Sequence, residues 1–459
     1  MDNINRIKHL YCRGGFGLSI SGLEHIKGLS VKHAVEDLFK SSSGIQPLTV
    51  IDGNETYNDA AKADSLTKKM FMQQQRQLEK DLNTGWITQM STTDSQLREK
   101  MTLFWHNHFA CRTQNAFYAQ QLNNIHRTHA LGNFKTLLLE VSKSPAMLQF
   151  LNNQQNKKGH PNENFARELM ELFTIGRGNY TEHDVKESAR AFTGWGFNNN
   201  GAFVERKALH DDGEKVFLGK SGAFTGEDII NTLLERKETA RFICTKLYKY
   251  LVNDMPEAKN INAMADVFYG SSYDISKLLK FVLTADWFYA DKNTGNLIKA
   301  PVDFIVGLNR QFYISYKNPE ILMQFERALG QVLFYPPNVA GWPGGKSWID
   351  SSSLMFRLKI PSTVLNDGVI AFKGKADPED EAFLAMNVSK RNAVNTQVQS
   401  QPNWDKFLSG IPANISKASI AGALLAPALN SNLMAIVNRS TDVRSMVIEL
   451  VSTPEYQLC

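Results

Sequence analysis

The sequence predicts a mainly α-helical protein: a single multi-helix globular body with long surface loops and little or no sheet. Three observations carry this expectation. Apolar residues recur at helical spacing, as at Phe134, Leu137, Leu138 and Val141 and again at Ile275, Leu278, Leu279 and Val282. Strand-like alternation is scarce, and Lys215–Leu218 is its best instance. A helix-sized segment also echoes itself, because Leu137–Leu148, Leu278–Tyr289 and Met446–Leu458 align without gaps. In the first and last of these, Ser144-Pro145 and Thr453-Pro454 read as an N-cap followed by proline at the first helical position. Their unequal spacing argues against a solenoid.

Composition excludes several classes. The chain has 459 residues, 42% hydrophobic and 21% charged, with a net charge of +5. This is ordinary for a globular protein, and no run of like charges builds the basic face that nucleic acid requires. No stretch approaches the ~20 apolar residues that span a bilayer. The opening residues lack the apolar run of a signal peptide, so a cytoplasmic location is expected, with export left open. The four cysteines Cys12, Cys111, Cys244 and Cys459 lie far apart, without a CxxC pair. They predict neither a disulfide framework nor a thiolate metal site, and they give redox function no support. Cys111 and Cys244 sit in apolar helical patterns and read as core residues.

Taken in order, residues 1–360 should form the main body. The stretch 41–59, rich in Ser, Gly, Asn and Asp, reads as a loose surface connection. Thr93 and Gln96 can cap a helix that runs through Leu97, Met101, Phe104, Trp105 and Phe109. On it His108 falls inside the apolar face and His106 opposite, exposed. Residues two apart on a helix diverge by ~160–200°, so these two imidazoles cannot share one ion. His126 and His129 can face one side, but no HExxH accompanies them. The glycine-rich stretch 198–226 should loop outside the helices. Residues 361–410 form a polar variable segment, and 411–459 return to helices that pack on the main body.

The charged block is HPNENFARELMELFTIGRGNYTEHDVKESARAFTGWG, residues 160–196. Asn162 can cap its first helix, and Gly176 and Gly178 can stop it. Phe165, Ala166, Leu169, Leu172 and Phe173 make an apolar face, opposite Glu163, Asn164, Arg167, Glu168 and Glu171. Thr181 and Asp184 form a capping box for the second helix, which Gly194 ends. Glu163, Arg167 and Glu171 stand at i, i+4 and i+8. They are either a solvated ladder or a carboxylate–arginine site, in which a less paired carboxylate serves as acid or base. His210-Asp211 lies in a turn that either supplies an imidazole and a carboxylate or closes an Asx-turn. In the loop Tyr335–Ile349, Trp342 and Trp348 are either a buried plug or an aromatic platform for a flat ligand such as a sugar.

Several segments carry a family resemblance: LYCRGGFGLS (Leu10–Ser19), FWHNHFA (Phe104–Ala110), Arg127–Asn153, the charged block, HDDGEKVFLG (His210–Gly219) and YPPNVAGWPGGKSWI (Tyr335–Ile349). In order, they resemble the bacterial family called domain of unknown function 1800, across most of the first 350 residues. That family has no established activity. The resemblance implies gene neighbourhood with an exported sulfatase-like protein, which is an association without a mechanism.

Two functional readings follow. One is a hydrolase-like enzyme with Glu163, Asp184, His210 and His108 as catalytic groups and Arg167, Glu171, Asp211, Trp342 and Trp348 binding an anionic or carbohydrate-type substrate. A divalent metal could be gathered there from His108, Glu163, Asp184 and His210. The other is a non-catalytic binding or assembly protein serving the sulfatase-like partner. The enzyme reading also expects the Tyr335–Ile349 loop to wall the same cleft as Glu163.

Overall fold

The computed structural model describes residues 2–52, 65–372 and 394–459. Of these, 61% are helical and 6% lie in strands, so the protein is mainly α. The first half holds α1 (Asn3–Gly14), α2 (Ile20–Ile26), α3 (Val31–Ser41), α4 (Ser65–Thr92), α5 (Gln96–His108), α6 (Ala116–His129), α7 (Phe134–Lys143), α8 (Pro145–Phe150), α9 (Asn164–Glu168) and α10 (Glu182–Ala191). Next come α11 (Gly226–Leu234), α12 (Lys237–Leu251), α13 (Ala258–Gly270), α14 (Ile275–Thr284), α15 (Pro301–Phe312), α16 (Ile321–Leu329) and α17 (Ser351–Leu365). The last four are α18 (Trp404–Ser409), α19 (Lys417–Leu424), α20 (Ser431–Arg439) and α21 (Val443–Val451).

The apolar periodicity of α7 and α14 is the reason they are buried where they are. All eight residues of their two stripes are inaccessible to solvent or nearly so. Starts are fixed by side-chain caps: Asn133 accepts from the Lys135 and Thr136 amides, Ser144 from Met147, and Asp274 from Lys277. Thr453-Pro454 differs from its predicted twin. It opens only a short 3-10 turn, and the Thr453 hydroxyl bonds back to the Leu450 carbonyl. One apolar core joins α1–α3 and α5–α14; a second joins α4 and α15–α17 to the C-terminal helices. In that second core α21 lies against α17, burying Met446, Val447, Leu450 and Val451.

Among the described residues the strands form small antiparallel ribbons. β1 (Trp195–Phe197) pairs with β2 (Phe203–Glu205), and β3 (Lys215–Phe217) with β4 (Lys220–Gly222). Further along, β5 (Ser315–Tyr316) pairs with β8 (Ser400–Gln401), and β6 (Val369–Phe372) with β7 (Val394–Gln397). The alternation at Lys215–Leu218 therefore marks a real strand, β3, with Leu218 opening the turn that follows it.

Three local expectations fail for identifiable reasons. The stretch after α3 is not loose up to residue 52. The Asn124 side chain accepts from the Leu48 amide at 2.8 Å, and the Gln120 oxygen takes the Val50 and Ile51 amides, so Leu48 and Ile51 are buried against α6. Residues 53–59 of that expectation lie outside the described residues, as do 373–393 of the polar segment. Thr93 does not cap α5, because Ser95 takes that position and the Gln96 side chain reaches away to the Phe16 amide. His106 is buried rather than exposed, since α5 is enclosed by its neighbours and its ring packs edge-on or tilted against Trp86, Phe334 and Trp342.

Candidate functional site

The charged block folds as two helices and a ribbon. Asn162 accepts from the Asn164 amide at 3.0 Å, so the turn it makes sits just ahead of α9 and puts Glu163 at the cap position. The helix then widens into one π-turn, Leu169–Phe173, before Gly176 and Gly178 take positive φ. Phe165, Ala166, Leu169 and Phe173 are buried as their spacing requires. The i, i+4, i+8 ladder divides in two. Arg167 bonds Glu163 at 3.1 Å and grips Glu182 with two bonds of 2.7 and 2.8 Å, while Glu171 pairs with Arg177 and accepts from Tyr180 at 2.9 Å. Burial opposes ionisation of Glu171, but Arg177 and Tyr180 outweigh it and hold its pKa below the ordinary value. Glu168, half-buried and without a hydrogen bond or ion pair among the described residues, is pushed the other way, by burial and then by Glu171.

The second helix carries the network that matters most for the architecture. The capping box predicted at Thr181 is present, with Asp184 Oδ2 accepting from both the Thr181 amide and hydroxyl. Asp184 Oδ1 accepts from the Leu218 amide at 2.8 Å, and one turn on, Glu187 Oε2 accepts from the Val216 amide at 2.9 Å. Two carboxylates on α10 thus satisfy alternate amides along the open edge of β3, in place of a neighbouring strand. Burial works against the charge on both acids, yet these bonds hold both pKa values down. Arg190 closes the network, bonding Glu187 at 2.9 Å and Asp211 at 2.8 Å, and its guanidinium draws Asp211 down to about 2. Consequently 198–226 is not a loose excursion: Phe217 and Lys215 are fully buried beneath it.

His210 and His108 are each engaged by a backbone carbonyl. His210 donates from Nδ1 to the Thr193 carbonyl at 2.9 Å. His108 donates from Nε2 to the Phe173 carbonyl at 3.2 Å, and its Nδ1 accepts from the Lys246 ammonium at 3.2 Å. Lys246 also donates to the Leu172 carbonyl at 3.0 Å. The two carbonyls at the end of the π-turn are therefore capped by one imidazole and one ammonium. Burial, then Lys246, drives the His108 pKa well below its ordinary value, and burial lowers Lys246 to about 8. His108 is neutral in the folded chain.

The Tyr335–Ile349 loop is seated on α5. Asn107 Oδ1 accepts from the Trp342 amide at 2.8 Å, and Gly341, at φ +84°, lies so close to Asn107 that a Cβ would collide with it. The Arg112 guanidinium stacks on the Tyr335 ring at 3.7 Å. Trp342 and Trp348 are only 5% and 7% exposed, so both indoles are turned inward as a plug and offer no ring face to a sugar. The hydrogen bonds and ring contacts described for the loop run to the FWHNHF helix and to Arg112 just beyond it, not to Glu163, Asp184 or His210.

The expected residues thus fall into separate groups: Glu163 with Arg167, Glu171 with Arg177, Asp184 and Asp211 in the network of α10 and the ribbon with His210 on Thr193 beside Asp211, and His108 with Lys246. Among the described residues no three His, Cys, Asp or Glu side chains converge as metal donors. The reasoning from sequence missed Lys246, which no local motif marks. It also missed Glu187 and Arg190, whose i, i+3 spacing inside the quoted block was visible.

No curated protein and no solved structure matches the chain. A family model described as a protein of unknown function (DUF1800) matches residues 9–458, well beyond Pro361, where the recognisable motifs fade. The resemblance seen in the motifs is borne out, and the chain belongs to the DUF1800 family.

Proposed function

We propose that the protein is a non-catalytic helical binding or assembly protein, and that the charged block is an internal lattice. The observation that supports this reading is the pairing of Asp184 and Glu187 with the β3 amides. Acids that accept part-buried backbone amides, with pKa values held down, are poor proton carriers and good structural anchors. Asp211 accepts from the Gly213 amide, while His210 and His108 donate to backbone carbonyls. The partner on this reading is the sulfatase-like protein encoded beside family members. Sedimentation of the purified chain with that protein should give a complex at micromolar concentration. Two components that sediment independently at that concentration, with both folded, overturn it.

Glu168 favours a second reading, a hydrolase-like site on α9. Glu168 raised and Glu171 lowered form a pair whose environments push their proton affinities apart, the pattern of an acid beside an ionised partner. Arg167 stands next to them as an anion-binding group. A panel of sulfate, phosphate and glycoside esters tests it: turnover should appear and fall at least ~100-fold in Glu168→Gln. Turnover unchanged in that variant would remove Glu168 from the chemistry.

A further inference from the structure

A cavity of about 590 Å³ lies at the seam between α1, α15 and the chain that follows α19. That size falls within the ~300–1,000 Å³ of small-molecule sites. It is remote in sequence from the charged block. Its wall has two characters. Phe16, Leu18 and Leu23 from the N-terminal segment, with Leu424, Leu425 and Leu429 from the C-terminal one, supply apolar surface. Lys299, Gln311 and Tyr456 supply a polar corner.

The polar corner is short of acceptors. The Lys299 ammonium rests on the Tyr456 ring at 3.9 Å and has no ion pair or hydrogen bond among the described residues. Its backbone is fixed on both sides: the amide donates to the Gln457 carbonyl at 2.8 Å, and the carbonyl accepts from Arg357 at 3.0 Å. Asp303, close enough to act on Lys299, is itself held by Lys100 at 2.7 Å. The Tyr456 hydroxyl donates to Gln311 Oε1 at 2.5 Å, which fixes that amide. Gln311 is only 8% exposed, and its Nε2 has no acceptor among the described residues. A cation and a buried amide donor, joined through one tyrosine and both without an acceptor, mark a place for an anion.

The rest of the wall limits the charge of the guest. Lys8 donates to Asn5 Oδ1 and to the Gly422 and Leu425 carbonyls, so its three N–H groups are spent on the chain. Burial pulls His9 down to about 3 and leaves it neutral. Lys8 and Lys299 set against Asp291 leave a single positive charge among the ionised side chains of the lining. That balance suits a monoanion better than a phosphate with two charges. A carboxylate has one oxygen for Lys299 and one for Gln311. We propose that this cavity binds a small amphipathic carboxylate, its head held by Lys299 and Gln311 and its tail lying along Phe16, Leu18, Leu23 and Leu425. Tyr456 is the positioning residue, its ring carrying the ammonium and its hydroxyl fixing the amide.

Titration calorimetry of the native full chain with decanoate, near pH 7 and below the micelle threshold, tests the proposal. One decanoate should bind per chain, with Kd in the micromolar range. Decanol, equal in length and uncharged, should bind at least ~10-fold more weakly, a comparison that needs no variant. Lys299→Met keeps the aliphatic stem, and should weaken decanoate ~10-fold or more while leaving decanol unchanged. Gln311→Leu should weaken decanoate several-fold. Melting curves of both variants verify folding. Crystals grown with ω-bromodecanoate should place the bromine's anomalous peak inside the cavity, beside the leucines. Absence of saturable binding overturns the proposal, as does decanol binding as tightly as decanoate. So does a folded Lys299→Met that binds decanoate like the parent, or a bromine found only outside the cavity.

Discussion

Charge pairs of the same chemistry have very different weights at the level of single residues, and burial decides between them. Arg167 is a third exposed, and its stronger partner Glu182 is 69% exposed. Its replacement by alanine should cost less than ~1 kcal/mol in a urea melt, as for other solvated pairs. Arg127 and Glu99 are wholly buried, bonded at 2.6 and 3.1 Å, with the Trp86 indole donating to the same carboxylate. Arg127→Ala leaves that carboxylate uncompensated and should cost ~3–5 kcal/mol in the same melt. Glu326 gives the chain a pH dependence. Burial lifts it to about 8 against an ordinary 4.5, with Asn83 as its neighbour at 2.6 Å. Between those two values the folded chain holds a proton that the unfolded chain has released. Stability from this group is therefore present below 4.5 and falls as pH rises, by ~1.4 kcal/mol per unit until the folded group titrates. Glu326→Gln should flatten the pH profile of the urea midpoint across that window, gaining most over the parent at its alkaline end. A profile as steep as the parent's would place the proton elsewhere.

The legibility of each element tracked how local its cause was. The capping box at Thr181, the apolar stripes of α7 and α14 and the strand at Lys215 were visible because each depends on residues within one or two turns. Asn107 holding Trp342, Gln120 holding Ile51 and Lys246 capping a π-turn were not visible, because each joins segments that share no spacing. The charged face of α10 shows the distinction most clearly. Its carboxylates were readable as a cluster, but their partners are amides of a strand 29 and 34 positions away, which no pattern in the helix announces. Asp184→Ala removes the cap partner of α10 and takes the acceptor from the part-buried Leu218 amide. A loss of ~2–3 kcal/mol is expected, together with faster proteolytic cutting within 198–226. Cutting at the parental rate would mean that β3 is held chiefly by Phe217.

At the scale of the molecule, the second core is built from both ends of the sequence. Phe16 and Ile20 share it with Ile420, Val447 and Leu450. A chain ended at residue 410 would bare the apolar face of α17 that now meets α21 and the Phe304 ring of α15 that now meets Tyr456. It should aggregate, or bind a hydrophobic dye, where the full chain does neither. The same seam has a consequence in time. Lys8 and Arg13 find acceptors 417 and 446 positions further on, at Leu425 and Cys459. A ribosome adding 5–20 residues per second needs roughly 20–90 s to deliver them. Throughout that interval the apolar stripe of α1 lies against α3 and α5, while Lys8 and Arg13 on it wait for their final acceptors. The pace of translation, rather than any feature of the finished fold, then sets how long each new copy waits.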